Sequence, residues 1–122
     1  MVLLNSSSCK FGWKPENFEF ISLKGDKNSL YNMSGLNGIL IMFICNHCPY
    51  VRSIEEKIAI ETFRLKEIKV NSLAIMSNDQ SAYPEDSDSN LLEQASRANF
   101  DFDYIVDSDQ SIAKNFDALC TP

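Results

Sequence analysis

The sequence predicts an α/β fold with a central sheet and flanking helices, and three observations carry that prediction. Gly38-Ile39-Leu40-Ile41-Met42-Phe43-Ile44 is a short, continuous apolar run, the pattern of a strand covered on both faces. Over residues 50–67, Val51, Ile54, Ile58, Phe63 and Leu65 recur at roughly helical spacing with charges between them, as in a long amphipathic helix. Val70-Asn71-Ser72-Leu73-Ala74-Ile75-Met76 reads as a second strand, and strand, helix, strand in succession implies a right-handed parallel crossover.

The other elements follow in chain order. Residues 1–10, rich in Asn and Ser, read as a loose amino-terminal arm, and Gly12-Trp13-Lys14-Pro15 as a turn. Phe18-Glu19-Phe20-Ile21-Ser22-Leu23 alternates as a half-buried strand does. The turn Lys24-Gly25-Asp26-Lys27-Asn28 is expected to close a hairpin with Ser29-Leu30-Tyr31, with Trp13 packed over it. The run 38–44 is taken as the central strand. Pro49 suits the first turn of the helix after it, where an N–H has no partner. Ser77-Asn78-Asp79 is the loop ending the second strand. Residues 81–89, polar and containing Pro84, read as a loop before a helix over 89–99 capped by Asp88 or Ser89. A short strand over 102–106 and a short helix over 110–116 complete the pattern.

At 122 residues the chain suits a single domain, 1–122, with one modest core. A net charge of -6 with scattered Lys and Arg leaves no cationic surface for phosphates, so nucleic acid is not an expected partner. No apolar run approaches the roughly 18 residues of a membrane span, and Met1-Val2-Leu3-Leu4-Asn5 lacks the basic leader of a signal peptide. No membrane association is expected, and a cytoplasmic location is the default. The acidic run Glu85-Asp86-Ser87-Asp88 lacks the glycine and terminal Glu of a calcium loop and reads as solvated. Asp101, Asp103, Asp107 and Asp109 are likewise expected to face water. Met42 and Met76 read as core fillers.

Chemistry concentrates in Cys45-Asn46-His47-Cys48. Reversible dithiol chemistry needs two neighbouring sulfurs, one ionised and exposed and the other ready to resolve a mixed disulfide. Cys45, just outside a helix amino terminus, would have its thiolate favoured by unpaired N–H groups and the helix dipole. Cys48, within the first turn and more buried, would resolve. An imidazolium at His47, the only histidine, would favour the thiolate further; the plain alternative is a solvated loop residue. The motif could also be half of a zinc or Cu(I) site. Structural zinc usually takes a second pair, and the remaining Cys9 and Cys120 stand singly. No metal and no bound cofactor are expected.

The stretch Leu40-Ile41-Met42-Phe43-Ile44-Cys45-Asn46-His47-Cys48-Pro49-Tyr50-Val51 resembles the thioredoxin-like redoxin family related to alkyl hydroperoxide reductase/TSA proteins, in the subgroup with a CNHCPYV signature. Gly12-x-x-Pro15-x-x-Phe18, Ser77-Asn78-Asp79 with Tyr83-Pro84-Glu85-Asp86-Ser87, Tyr104-Ile105-Val106-Asp107 and Cys120-Thr121-Pro122 extend the likeness. The resemblance implies a thioredoxin-like fold and a thiol-disulfide oxidoreductase acting on protein or small-molecule disulfides. It implies that Thr121-Pro122 is the cis-proline loop beside the CxxC, offering backbone groups to substrate. Cys120 is then a third redox thiol or a buried structural cysteine.

Two departures keep other readings open. Ile39 stands where thioredoxins often carry a buried acid, and the Pro-x-x-x-Thr/Ser-x-x-Cys loop of peroxiredoxins is missing. A thiol peroxidase, a zinc or copper module and an inactive fragment remain alternatives. The resemblance also implies a chain truncated after the cis-proline, lacking the C-terminal strands and helix. That would leave 38–44 as an exposed edge through which chains could self-associate.

Overall fold

The computed structural model describes residue 5 and residues 8–122, so much of the expected arm over 1–10 lies outside the described residues. The α/β expectation is borne out. A hairpin of β1 (Glu19–Ile21) and β2 (Lys27–Ser29) leads into α1 (Leu30–Met33). β3 (Gly38–Phe43), α2 (Pro49–Glu67) and β4 (Val70–Met76) form the crossover, followed by a 3-10 turn at Pro84–Asp86, α3 (Asp88–Ala98), β5 (Asp103–Val106) and α4 (Ser111–Asn115).

β3, β4 and β5 make a parallel sheet in that order, with Gly38 opposite Val70, Phe43 opposite Ile75, and Leu73 opposite Asp103. The expectation that 38–44 is the central strand is therefore corrected: β4 is the middle strand and β3 pairs on one side only among the described residues. Burial agrees, because the last five residues of β4 are fully covered while β3 is half-buried. The run 38–44 is the more apolar of the two, since 70–76 contains Asn71 and Ser72, so hydropathy alone ranks them the wrong way round.

Alternation along the strands divides the core into two layers. Ala74 and Met76 join Ile44, Val51, Leu91, Ala98, Phe100 and Tyr104, burying the faces of α2 and α3. Leu73 and Ile75 join Phe20, Leu30 and Ile105, with Ile39, Ile41, Phe43, Ile112 and Phe116 packed around them. Helices thus cover one face of the sheet, and the hairpin with α1 and α4 covers the other. No helix of the described residues is long and apolar enough to cross a membrane.

Several local expectations shift. The second hairpin strand ends at Ser29, and Leu30-Tyr31 instead begin α1, because the Ser29 hydroxyl accepts the Asn32 N–H as a cap. Ser87, not Asp88 or Ser89, caps α3 by accepting the Asn90 N–H at 3.3 Å. Trp13 meets Phe116 edge-on at 5.4 Å, beside α4 and not over the hairpin. Asp107 is buried, not solvated: its carboxylate accepts the Ile112 and Ala113 N–H groups at the start of α4 and the Ser77 hydroxyl.

The connection from α1 to β3 depends on a close backbone approach. A Cβ built at Gly35 would lie 2.1 Å from the Lys69 carbonyl oxygen, and the neighbouring backbone has no flexible side-chain end to yield. Gly35→Ala is expected to destabilise the fold by about 2 kcal/mol, read as a lower urea midpoint at unchanged slope.

Candidate active site

Parallel strands deliver their following loops to one edge of the sheet, where α/β proteins usually bind ligands. β3 leads to Cys45, β4 to Ser77-Asn78, and β5 to Asp107. Cys48 is the N-cap of α2, with Pro49 at the first helical position, so the dithiol sits at the helix entrance. The chain returns to it at Thr121, whose peptide bond to Pro122 is cis. The Cys45 Sγ lies 3.6 Å from the Thr121 hydroxyl, and the Cys48 Sγ lies 3.7 Å from the Thr121 carbonyl oxygen.

Both sulfurs are covered. Cys45 is 0% exposed and Cys48 1%, which corrects the expectation of an exposed Cys45 with Cys48 more buried. Ile44, Val51, Ala74, Met76 and Tyr104 pack in the same cluster and exclude water from the sulfurs. This burial pushes the Cys45 thiol up to about 11, and the charge of Asp86 adds to the rise. Hydrogen bonds from the Thr121 hydroxyl and the Cys48 backbone N–H pull the other way without overcoming it. The expected ready thiolate is thus corrected too: a helix amino terminus lowers a thiol only where desolvation does not outweigh it.

Asp86, read as part of a solvated run, is fully buried in this site. The 3-10 turn carries its side chain under the CxxC loop. Its Oδ1 accepts the Asn46 N–H at 2.7 Å and the His47 N–H at 3.1 Å. Its Oδ2 meets His47 Nδ1 at 2.5 Å and accepts from the Asn78 amide at 3.4 Å. The His47 ring lies flat on Tyr83, with centroids 4.2 Å apart and planes 4° from parallel.

A second polar network supports the loop from behind. Gln94 donates to the Cys45 carbonyl oxygen and to Glu55, each at 3.1 Å, and accepts the Tyr104 hydroxyl at 2.9 Å. Arg97 reaches Glu55 at 3.0 Å and the Asn46 side-chain oxygen at 3.2 Å, while Arg52 donates to the Asn46 carbonyl oxygen at 2.7 Å. Burial raises the Tyr104 hydroxyl well above its usual range. Asp86, Glu55, Gln94, Arg97 and Tyr83 were all missed by sequence reasoning. The one available signal was the match of Tyr83-Pro84-Glu85-Asp86-Ser87 to the family pattern.

The Cys45 sulfur, a His47 ring nitrogen and an Asp86 oxygen lie within 4.8 Å of one another, so their donor atoms converge. Asp86 Oδ1 is nevertheless occupied by two backbone N–H groups, and Oδ2 faces Nδ1 at hydrogen-bond distance. An ion would have to break those bonds, and the group is better described as a thiol beside a hydrogen-bonded His47–Asp86 pair. Cys120 is half-buried next to Thr121 and lines, with His47, Tyr83, Lys114 and Thr121, an open cleft of about 420 Å³. Cys9 is exposed.

Residues 12–122 match the AhpC/TSA family along nearly the whole chain. The chain belongs to the AhpC/TSA family. Among solved structures, this redoxin is similar to an uncharacterized conserved protein from Geobacillus kaustophilus, at 32% identity and TM-score 0.94, over 100% of this chain and 65% of that one. It is also similar to a hypothetical protein from Sinorhizobium meliloti 1021, at 30% identity and TM-score 0.89, over 96% and 64% of the respective chains. The redoxin thus spans a little under two thirds of the length of these two proteins. The thioredoxin domain of a thiol-disulfide oxidoreductase from Bacteroides vulgatus, 15% identical over 94% of this chain and 79% of that domain, shares the fold at TM-score 0.72. No curated protein matches the chain.

Two outcomes test this geometry. The Cys45 thiol keeps its proton to about 11 when folded but only to about 9.0 unfolded, so the unfolded chain loses it first. Stability contributed in this way is full below pH 9 and falls as pH rises towards 11, by up to about 2 kcal/mol in the reduced protein. Urea titrations across that window are expected to show the slope, and Cys45→Ser to flatten it, leaving the share due to Tyr104. Gln94→Ala leaves the Cys45 carbonyl and the Tyr104 hydroxyl without their partner, and is expected to cost about 1–3 kcal/mol by the same measurement.

Proposed function

We propose that this redoxin is a thiol-disulfide oxidoreductase, working as one domain without a bound cofactor on protein or small-molecule disulfides. The observation that carries the reading is the pair of Cys45 and Cys48 sulfurs at the entrance of α2, both against Thr121. Family membership supports it.

In the forward direction the Cys45 sulfur attacks one sulfur of R–S–S–R′. That bond breaks, Cys45–S–S–R forms, and R′S⁻ leaves to become R′SH. The Cys48 sulfur then attacks Cys45, releasing RSH and leaving a Cys45–Cys48 disulfide. Two electrons and two protons pass from the dithiol to the substrate. Thr121 and Pro122 form the substrate platform in this reading, and displacing Thr121 from the sulfurs opens the approach. Cys120, beside Thr121, faces the same substrate in this reading.

Family membership also favours a second reading, a thiol peroxidase. Cys45 would be oxidised by ROOH to the sulfenic acid with release of ROH, and condensation with Cys48 would release water. Turnover with a peroxide compared with turnover of a disulfide, both under an external dithiol reductant, separates the two.

The deciding experiment for the first reading equilibrates the protein in thiol-disulfide buffers, alkylates remaining thiols and maps them by mass spectrometry. A reversible Cys45–Cys48 disulfide with a midpoint between roughly -270 and -120 mV is the expected outcome. Cys48→Ser should accumulate a mixed disulfide at Cys45, and Cys45→Ser should accumulate none. Absence of the intramolecular bond across the whole range would sink the reading.

A further inference from the structure

A thiol buried among Ile44, Val51, Met76 and Tyr104 cannot hand its proton directly to bulk water, so a nucleophilic Cys45 needs a proton acceptor inside the site. The groups around it are few. Cys48 and His47 come from its own loop, Asp86 from the 3-10 turn, Thr121 from the returning chain, Glu55 and Arg52 from α2, Arg97 from α3 and Tyr104 from β5. Glu55 is held by Arg97 and Gln94, and Tyr104 is itself a buried acid bonded to Gln94. Among the described residues only His47 and Asp86 combine a basic atom with nearness to the sulfur: one His47 ring nitrogen, one Asp86 oxygen and the Cys45 sulfur lie within 4.8 Å of one another.

We propose that His47 and Asp86 form the acid-base pair of this site, His47 taking the Cys45 proton as the sulfur attacks and Asp86 acting as the positioning residue that holds the imidazole. The inference rests on the oxidoreductase reading and deepens it. Asp86 fixes the ring through Nδ1 at 2.5 Å, and the flat contact with Tyr83 removes the remaining freedom of the ring plane. Holding Nδ1–H against the carboxylate leaves Nε2 as the lone-pair nitrogen, the arrangement that orients a histidine base. The proton crosses after a small side-chain movement, as separations in a resting site commonly require.

The proton balance closes. Before attack the thiol is neutral and the pair carries one negative charge on Asp86. Transfer leaves a thiolate beside an imidazolium-carboxylate pair, so the carboxylate charge that opposes a thiolate is neutralised as the thiolate appears. The electron pair stays on sulfur, forms the bond to the substrate sulfur, and the departing R′S⁻ takes the proton back from the imidazolium. The pair returns to its starting state.

Alkylation of the reduced protein with iodoacetamide, from about pH 6 to about pH 11, reads proton removal from Cys45 without needing a disulfide partner. Label at Cys45 is followed by mass spectrometry. Wild type is expected to show a shallow limb near neutrality, where the pair serves as base. His47→Gln and Asp86→Asn should each slow the neutral-pH rate at least about tenfold and make it rise with hydroxide throughout, with no further loss in the double variant. Asn at position 86 still offers an oxygen to the Asn46 and His47 N–H groups, so a purely structural role predicts an unchanged limb, which would overturn the proposal. A faster Asp86→Asn would overturn it too, because the carboxylate would then act only by repelling the thiolate. If Asp86→Asn does not fold, His47→Gln decides alone, since that side chain is 22% exposed and no packing depends on it being charged. A missing Cys45–Cys48 disulfide in the redox titration sinks the oxidoreductase reading, whereas a lost or unchanged limb here speaks only to the pair.

Discussion

The site depends on one buried carboxylate. Asp86 ties the 3-10 turn after β4 to the CxxC loop after β3 through two backbone N–H groups and an imidazole, and the Asn46 amide returns a bond to the Glu85 carbonyl oxygen. A buried carboxylate is costly to desolvate and is tolerated only when its oxygens are satisfied, so the loop and the charge stabilise each other. Removing the acceptor would take from two N–H groups of the dithiol loop the partner they have here. The backbone of Asn46 and His47 and the setting of the His47 ring are held by that anchor.

Glu55, Gln94, Arg97 and Tyr104 do the same from the α2 and α3 side, and their geometry explains why the apolar layer on that face contains polar groups. Gln94 spends its amide on three partners, one of them the carbonyl of Cys45, so α3 reads the position of the cysteine backbone directly. Arg97 closes the circuit by joining Glu55 to Asn46. Networks of this kind are favourable only when every member is satisfied, and here each has its partner within the layer.

Much of the fold was legible because its signals are periodic. The helical spacing of α2 and the apolar runs of β3 and β4 state their elements locally, although the α2 stripe was read only in part, since Phe63 is exposed while Glu55 and Thr62 are buried. What could not be read depends on contacts distant in sequence. β3 is the more apolar string, yet pairing with β5 makes β4 the middle strand. Glu85, Asp86, Ser87 and Asp88 form one polar run, yet the 3-10 turn sends Asp86 inward and leaves Glu85 outside. The thiolate expected at Cys45 failed for the same reason: the helix entrance is a local feature, whereas the burial that opposes it is assembled from β4, β5 and the returning Thr121 segment.

The entrance of α2 carries one more consequence. Cys48 is its N-cap and makes no side-chain cap, so the first turn begins without the hydroxyl or carboxylate acceptor that usually anchors a helix there. The acceptor at hand is the Cys45 sulfur, reached by the Cys48 N–H, and a negative sulfur accepts far better than a neutral one. With the neutral thiol that burial favours, that anchor is a weak one. The first turn of a nineteen-residue helix is in this way anchored on a sulfur of the site, so the charge on one atom bears on how firmly the helix begins.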